Sequence, residues 1–100
     1  MSITEKQKRW LKSQVHQLKP VVLVGQAGVT EGVLAELELA LDHHELLKVR
    51  VSAGDRELRD DLIAQMVAAS RATLVSRIGN VAALYRANPK KRDPIALPQG

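Results

Sequence analysis

One hundred residues with a net charge of +4, no cysteine, no phenylalanine, one tryptophan and one tyrosine exclude several classes at once. The length gives one domain and no second core, the missing thiols exclude disulfides and thiolate metal sites, and no apolar run approaches the ~20 residues of a membrane-spanning helix. Residues 1–20 carry five basic side chains and no apolar core segment, which argues against a secretory signal and makes the chain read as a soluble cytoplasmic domain.

The first predicted helix spans Ile3–Leu18. Ser2 and Glu5 have the S-x-x-E spacing of a capping box. Ile3, Trp10, Leu11, Val15 and Leu18 share a sector of about 140° on the helical wheel, with Lys8, Lys12 and Lys19 grouped beside it. Lys19-Pro20 stops the helix, because a residue before proline avoids the α region. Trp10, at the edge of the stripe, reads as half-core or as a base-stacking ring. Val21–Val24 reads as a strand buried on both faces, since nothing polar interrupts it. Gly25–Gly28 is a turn, and Thr30 caps a second helix over Glu31–His43 with Val33, Leu34, Leu37 and Leu41 inward.

Leu46–Val51, LLKVRV, alternates. Leu47, Val49 and Val51 point one way; Leu46, Lys48 and Arg50 point the other, so one face of the sheet is wet and helices cover mainly one side. Ser52–Gly54 turns the chain and Asp55 caps a third helix, Arg56–Ser70, burying Leu58, Leu62, Met66 and Ala69 with Ile63 and Val67. Gly79-Asn80 is a two-residue hairpin signal between strands Thr73–Ile78 and Val81–Arg86. The order αβαβαββ predicts an α/β two-layer sandwich with a four-stranded mixed sheet. Residues 1–86 form the domain. Residues 87–100, ANPKKRDPIALPQG, read as a basic, proline-containing tail with no packed element of its own.

Charge is unevenly spread: net +4 over residues 1–20, −5 over 21–70 and +5 over 71–100. Such asymmetry points to a polyanion met by both ends of the chain; the alternative is a solubilising surface with a basic tail. Candidate cations are Lys8, Lys12 and Lys19 on or after the first helix, Lys48 and Arg50 on the wet strand face, and Lys90, Lys91 and Arg92 in the tail. Arg77 or Arg86 join Lys48 and Arg50 if strand order allows. Gly25-Gln26-Ala27-Gly28 is a G-x-x-G opening a helix after a strand, where glycine admits a close ligand and helix-start amides favour anions. It lacks both the Walker G-K-[ST] and the dinucleotide G-x-G-x-x-G. A plain tight turn is the other reading of the same residues.

Enzymatic chemistry has little to build on. Ser13, Ser52, Ser70 and Ser76 lie on separate elements without a nucleophile motif, and Asp60-Asp61 reads as a solvated helix face. Asp42-His43-His44-Glu45 invites a metal, but adjacent helical residues point about 100° apart. Histidine there also suits a helix's negative end. No catalytic residue, metal or cofactor is therefore assigned.

The segments LKPVVLVGQAGVTEGVLAELELALDHHELLKVRV and IGNVAALYR, in that order, resemble the bacterial YhbY proteins. These are the stand-alone form of the CRM (chloroplast RNA splicing and ribosome maturation) domain, and the resemblance covers about residues 4–92. It implies a two-layer sandwich similar to the C-terminal domain of translation initiation factor three. It also implies RNA binding in assembly of the large ribosomal subunit, and the expectation taken from the whole sequence is a monomeric domain acting on precursor ribosomal RNA. By analogy with KH domains it makes Gly25, Gln26, Ala27 and Gly28 the RNA-contacting loop. Gln26 and Ala27 bring no charge, whereas KH loops commonly carry a lysine or arginine. A different class of function is a protein–protein adaptor docking on a ribosomal protein or assembly factor through apolar area at Leu46, Ile95 and Leu97.

Overall fold

A threonine rather than a serine starts the first helix. The computed structural model describes residues 3–52 and 54–99, so Ser2 of the expected capping box and Ala53 of the expected turn lie outside the described residues. The box that forms is T-x-x-Q: Thr4 Oγ1 accepts from the Gln7 amide at 3.1 Å and Gln7 Oε1 accepts from the Thr4 amide at 3.0 Å. Helix α1 then runs over Glu5–Val15. It ends three residues before Leu18, where the Gln17 and Leu18 amides turn to the carbonyls of Gln14 and Val15.

The remaining elements are β1 (Pro20–Val24), α2 (Glu31–His44), β2 (Leu46–Val51), α3 (Arg56–Ser70), β3 (Thr73–Ile78) and β4 (Val81–Tyr85). Thr30 and Asp55 cap α2 and α3 as their sequence positions predict, accepting from the Val33 and Leu58 amides. The sheet order is β1-β2-β4-β3, with β1 and β2 parallel and the other pairs antiparallel. Among the described residues no helix is long and apolar enough to cross a membrane.

Period-2 alternation sends Val22, Val24, Leu47, Val49, Val51 and Leu84 to one face, where α2 and α3 cover them. The opposite face is not bare. Helix α1 lies over its far half, burying Leu11 and Val15 against Leu46, Val75, Ala83 and Tyr85. Trp10, Ile95 and Leu97 pack at the margin of that cluster, which places Trp10 in the half-core.

Three expectations change here. β1 is an edge strand whose second face no helix covers fully among the described residues, so Val21 and Leu23 are 42% and 64% exposed rather than buried on both sides. Helix α3 turns Leu58 and Ala69 outward. The tail, though without regular structure, is packed against the domain as a strap. The Glu45 carboxylate, 1% exposed, accepts from the Asn88 and Ile95 amides at 3.0 and 2.8 Å and lies 3.6 Å from Lys91 Nζ. The Gln7 side chain donates to the Pro98 carbonyl at 3.0 Å. Leu46, Ile95 and Leu97 are consequently used inside the fold and do not form the apolar docking surface expected of them.

Candidate nucleic-acid interface

Gly25–Gly28 closes as a tight turn, with the Gly28 amide bonded to the Gly25 carbonyl at 3.0 Å. The two glycines differ. Gly28 has φ +77°, a backbone conformation that strains any side chain, so the turn itself favours glycine there; its Cβ position is in ordinary contact with Leu62 on α3. Gly25 lies outside the left-handed region and its Cβ position faces open space. Nothing within the described protein needs the missing side chain at residue 25.

The turn delivers the chain to the start of α2. There Thr30 Oγ1 takes the Val33 amide and the Thr30 carbonyl takes that of Leu34. The amides of Glu31 and Gly32 are left without an intrahelical acceptor. Glu31 offsets part of the favourable field for an anion at this end.

Two other loops reach the same end of the sheet. The Ser52 amide bonds to the Val24 carbonyl and the Val51 amide to the Asn80 carbonyl. The start of α3 and the β3–β4 hairpin therefore stand beside the glycine turn. Between them Arg56, Arg59, Arg77 and Gly79 line a depression of about 270 Å³. The Nε–H groups of Arg59 and Arg77 are buried there without an acceptor. Sequence reasoning missed Arg56 and Arg59, because they lie in the acidic middle segment; their (i, i+3) spacing on one helix was the available signal.

The predicted cations divide into two sets. Lys48 and Arg50 lie on the α1 side of the sheet and, among the described residues, form no ion pair. Lys8, Lys12, Lys19, Lys90 and Arg92 are likewise without an ion pair among the described residues. Arg77, Arg86 and Lys91 are engaged. Arg77 pairs with Asp60 on α3. Arg86 pairs with Glu38 and Asp42 on α2 and donates to the Ser70 carbonyl at 2.9 Å. Neither arginine shares the Lys48–Arg50 surface.

A bulge between Leu74 and Ser76 is the reason for Arg77. It places Val75 and Ser76 together on the α1 side and returns Arg77 to the α3 side, opposite Ala82. Strict alternation would have put Arg77 with Val75.

His43 and His44 meet edge to face, ring centroids 4.6 Å apart. Burial, then His43 and Lys91, hold the His44 imidazole below its ordinary pKa. Among the described residues no group of three or more His, Cys, Asp or Glu side chains is arranged to hold a metal.

The CRS1 / YhbY (CRM) domain family model matches residues 3–86. A protein of Pseudomonas aeruginosa named as a probable RNA-binding protein is 50% identical over 90% of this chain and 86% of its own length. An RNA-binding protein of Haemophilus influenzae is 46% identical over 98% of this chain and 97% of its own length. The solution structure of a Staphylococcus aureus protein proposed to bind RNA superimposes with a TM-score of 0.81 at 32% identity, covering 97% of this chain and all of that one.

Proposed function

Since the chain belongs to the CRS1 / YhbY (CRM) domain family, we propose that it is a cytoplasmic, monomeric RNA-binding protein acting on precursor ribosomal RNA during assembly of the large subunit. RNA binding is what its relatives' names describe; the ribosomal part rests on the family resemblance. The observation that carries the site is Gly25, whose missing side chain serves nothing inside the fold. A phosphate approaching the Gly25–Gly28 backbone and the Glu31 and Gly32 amides makes use of that space. Arg56 and Arg59 on one side and Lys48 and Arg50 on the other hold the flanking backbone, each neutralised phosphate releasing counterions. The tail strap brings Lys90 and Arg92 as further charge. Sites at Arg77 and Arg86 contribute less, being committed to carboxylates.

Gly25→Leu tests this directly. The structure separates it from Gly28, where any side chain is strained. The expected result is at least a tenfold loss in affinity for large-subunit precursor RNA with the melting temperature unchanged. Unchanged affinity would remove the turn from the interface.

A further inference from the structure

The open half of the sheet's α1 face carries a row that crosses all four strands. Leu23 pairs with Arg50, Arg50 with Val81, and Val81 with Ile78. At the usual strand spacing of about 4.8 Å the row spans about 14 Å. It sits two residues before Gly25, at the end of the sheet that bears the glycine turn. The next row inward holds Pro20, Lys48, Ala83 and Ser76. Helix α1 covers the row beyond that and reaches Ala83 in this one.

What is left uncovered is unusual in kind. Leu23 and Ile78 are 64% and 70% exposed, at opposite ends of a row whose third apolar member is the half-buried Val81. Isolated apolar side chains on a surface mean little, but these share one face with two unpaired cations. The depression between α1 and the strands, about 250 Å³, is lined by Lys48, Arg50 and His16 and by no carboxylate. That volume is below the usual range of small-molecule pockets, and the floor is open along the strands.

From these rows we propose that the open sheet face is a nucleobase-binding floor for unpaired RNA, contiguous with the phosphate site at the glycine turn. The inference rests on the RNA-binding reading above. Apolar floor and unopposed cations together fit a ligand that is flat and apolar on its faces and anionic along its edge. An A-form duplex keeps its base faces stacked and offers only phosphates, hydroxyls and base edges. A single strand offers both parts. Leu23 and Ile78 pack against base faces, Arg50 stacks its guanidinium plane between them, and Lys48 takes a phosphate. Among the described residues no tryptophan or tyrosine lines this floor, and His16 is its one ring, which predicts sequence tolerance and weaker stacking than aromatic platforms give.

The test uses the full chain and three probes: a twelve-nucleotide single-stranded RNA, the same strand with its four central nucleotides abasic, and the corresponding duplex. For the wild type the abasic strand should bind about tenfold more weakly than the intact one, with the same salt slope. Leu23→Ser/Ile78→Ser, at exposed positions, should bind the intact strand as weakly as the abasic one and lose nothing further on the abasic strand or the duplex. Gly25→Leu should weaken all three. A wild type that binds RNA with a normal salt slope but does not distinguish intact from abasic strands overturns the floor and spares the function. The floor is likewise overturned if Leu23→Ser/Ile78→Ser leaves RNA affinity intact yet abolishes retention on nuclease-treated ribosomal particles, which would make the face a protein contact. A wild type that binds none of the probes or precursor RNA overturns both.

Discussion

On the side of the sheet that α2 and α3 cover, Arg77 and Arg86 each meet a carboxylate; on the α1 side, Lys48 and Arg50 are among the cations that meet none among the described residues. Lys48 and Arg50 come from β2, Arg77 from β3 and Arg86 from the residue after β4, yet of these four only the first pair is available to a polyanion. Their difference lies in the neighbours. Helices α2 and α3 bring Glu38, Asp42 and Asp60 to the covered side, whereas α1 brings Lys8, Lys12 and His16 and its one acidic residue, Glu5, stands at the far end in the first turn. Net charge over a segment therefore misleads. The middle of the chain is the acidic part in sequence, but three of its acids, Glu38, Asp42 and Asp60, are paired with arginines from the C-terminal part.

The largest effect is expected where a cation is engaged. Glu45, the residue that closes α2 at φ 62°, is the buried acid through which the tail and Lys91 are held. Glu45→Ala leaves the Asn88 and Ile95 amides without their acceptor. It should cost about 2–4 kcal/mol in denaturant unfolding and open the 90–92 segment to trypsin, while leaving the glycine turn unaltered. A stable variant with a protected tail would mean the strap is held by its apolar contacts alone.

A smaller effect is expected at His44. Its folded pKa is depressed, so the unfolded chain takes up the proton first as pH falls. The contribution is fully present above the ordinary value of 6.5 and is lost as pH falls through the lower folded value. In thermal melts between pH 8 and pH 5, the wild type should lose slightly more stability than His44→Gln as pH falls. Parallel curves would assign the shift no consequence for stability.

Much of the fold was legible because its signals are local. The alternation of LLKVRV, the caps Thr30 and Asp55, and the Gly79-Asn80 turn each act within a few residues, and β2, α3 and β3 run where those signals put them. Gly25–Gly28 was also legible as a turn. What sequence could not give was any property decided by a partner element. Val21–Val24 is apolar throughout, yet its burial depends on β1 lying at the sheet's edge. Arg77 changes sides through a one-residue bulge that no composition announces. The tail reads as free because the acid that binds it, Glu45, is 43 residues away from Asn88. Arg56 and Arg59 were hidden by their acidic neighbours in sequence, although at the sheet's end they face Arg77.

The division between free and engaged cations is open to one experiment: RNA affinity across a salt series for Lys48→Ala/Arg50→Ala against Arg86→Ala, on a single-stranded RNA probe. Removing the free pair should lower the salt slope by about 0.7 for every phosphate no longer neutralised, with stability within about 0.5 kcal/mol of wild type. Arg86→Ala should do the reverse, losing stability and keeping the slope once folded. A slope that falls for Arg86→Ala and stays unchanged for Lys48→Ala/Arg50→Ala would contradict that division.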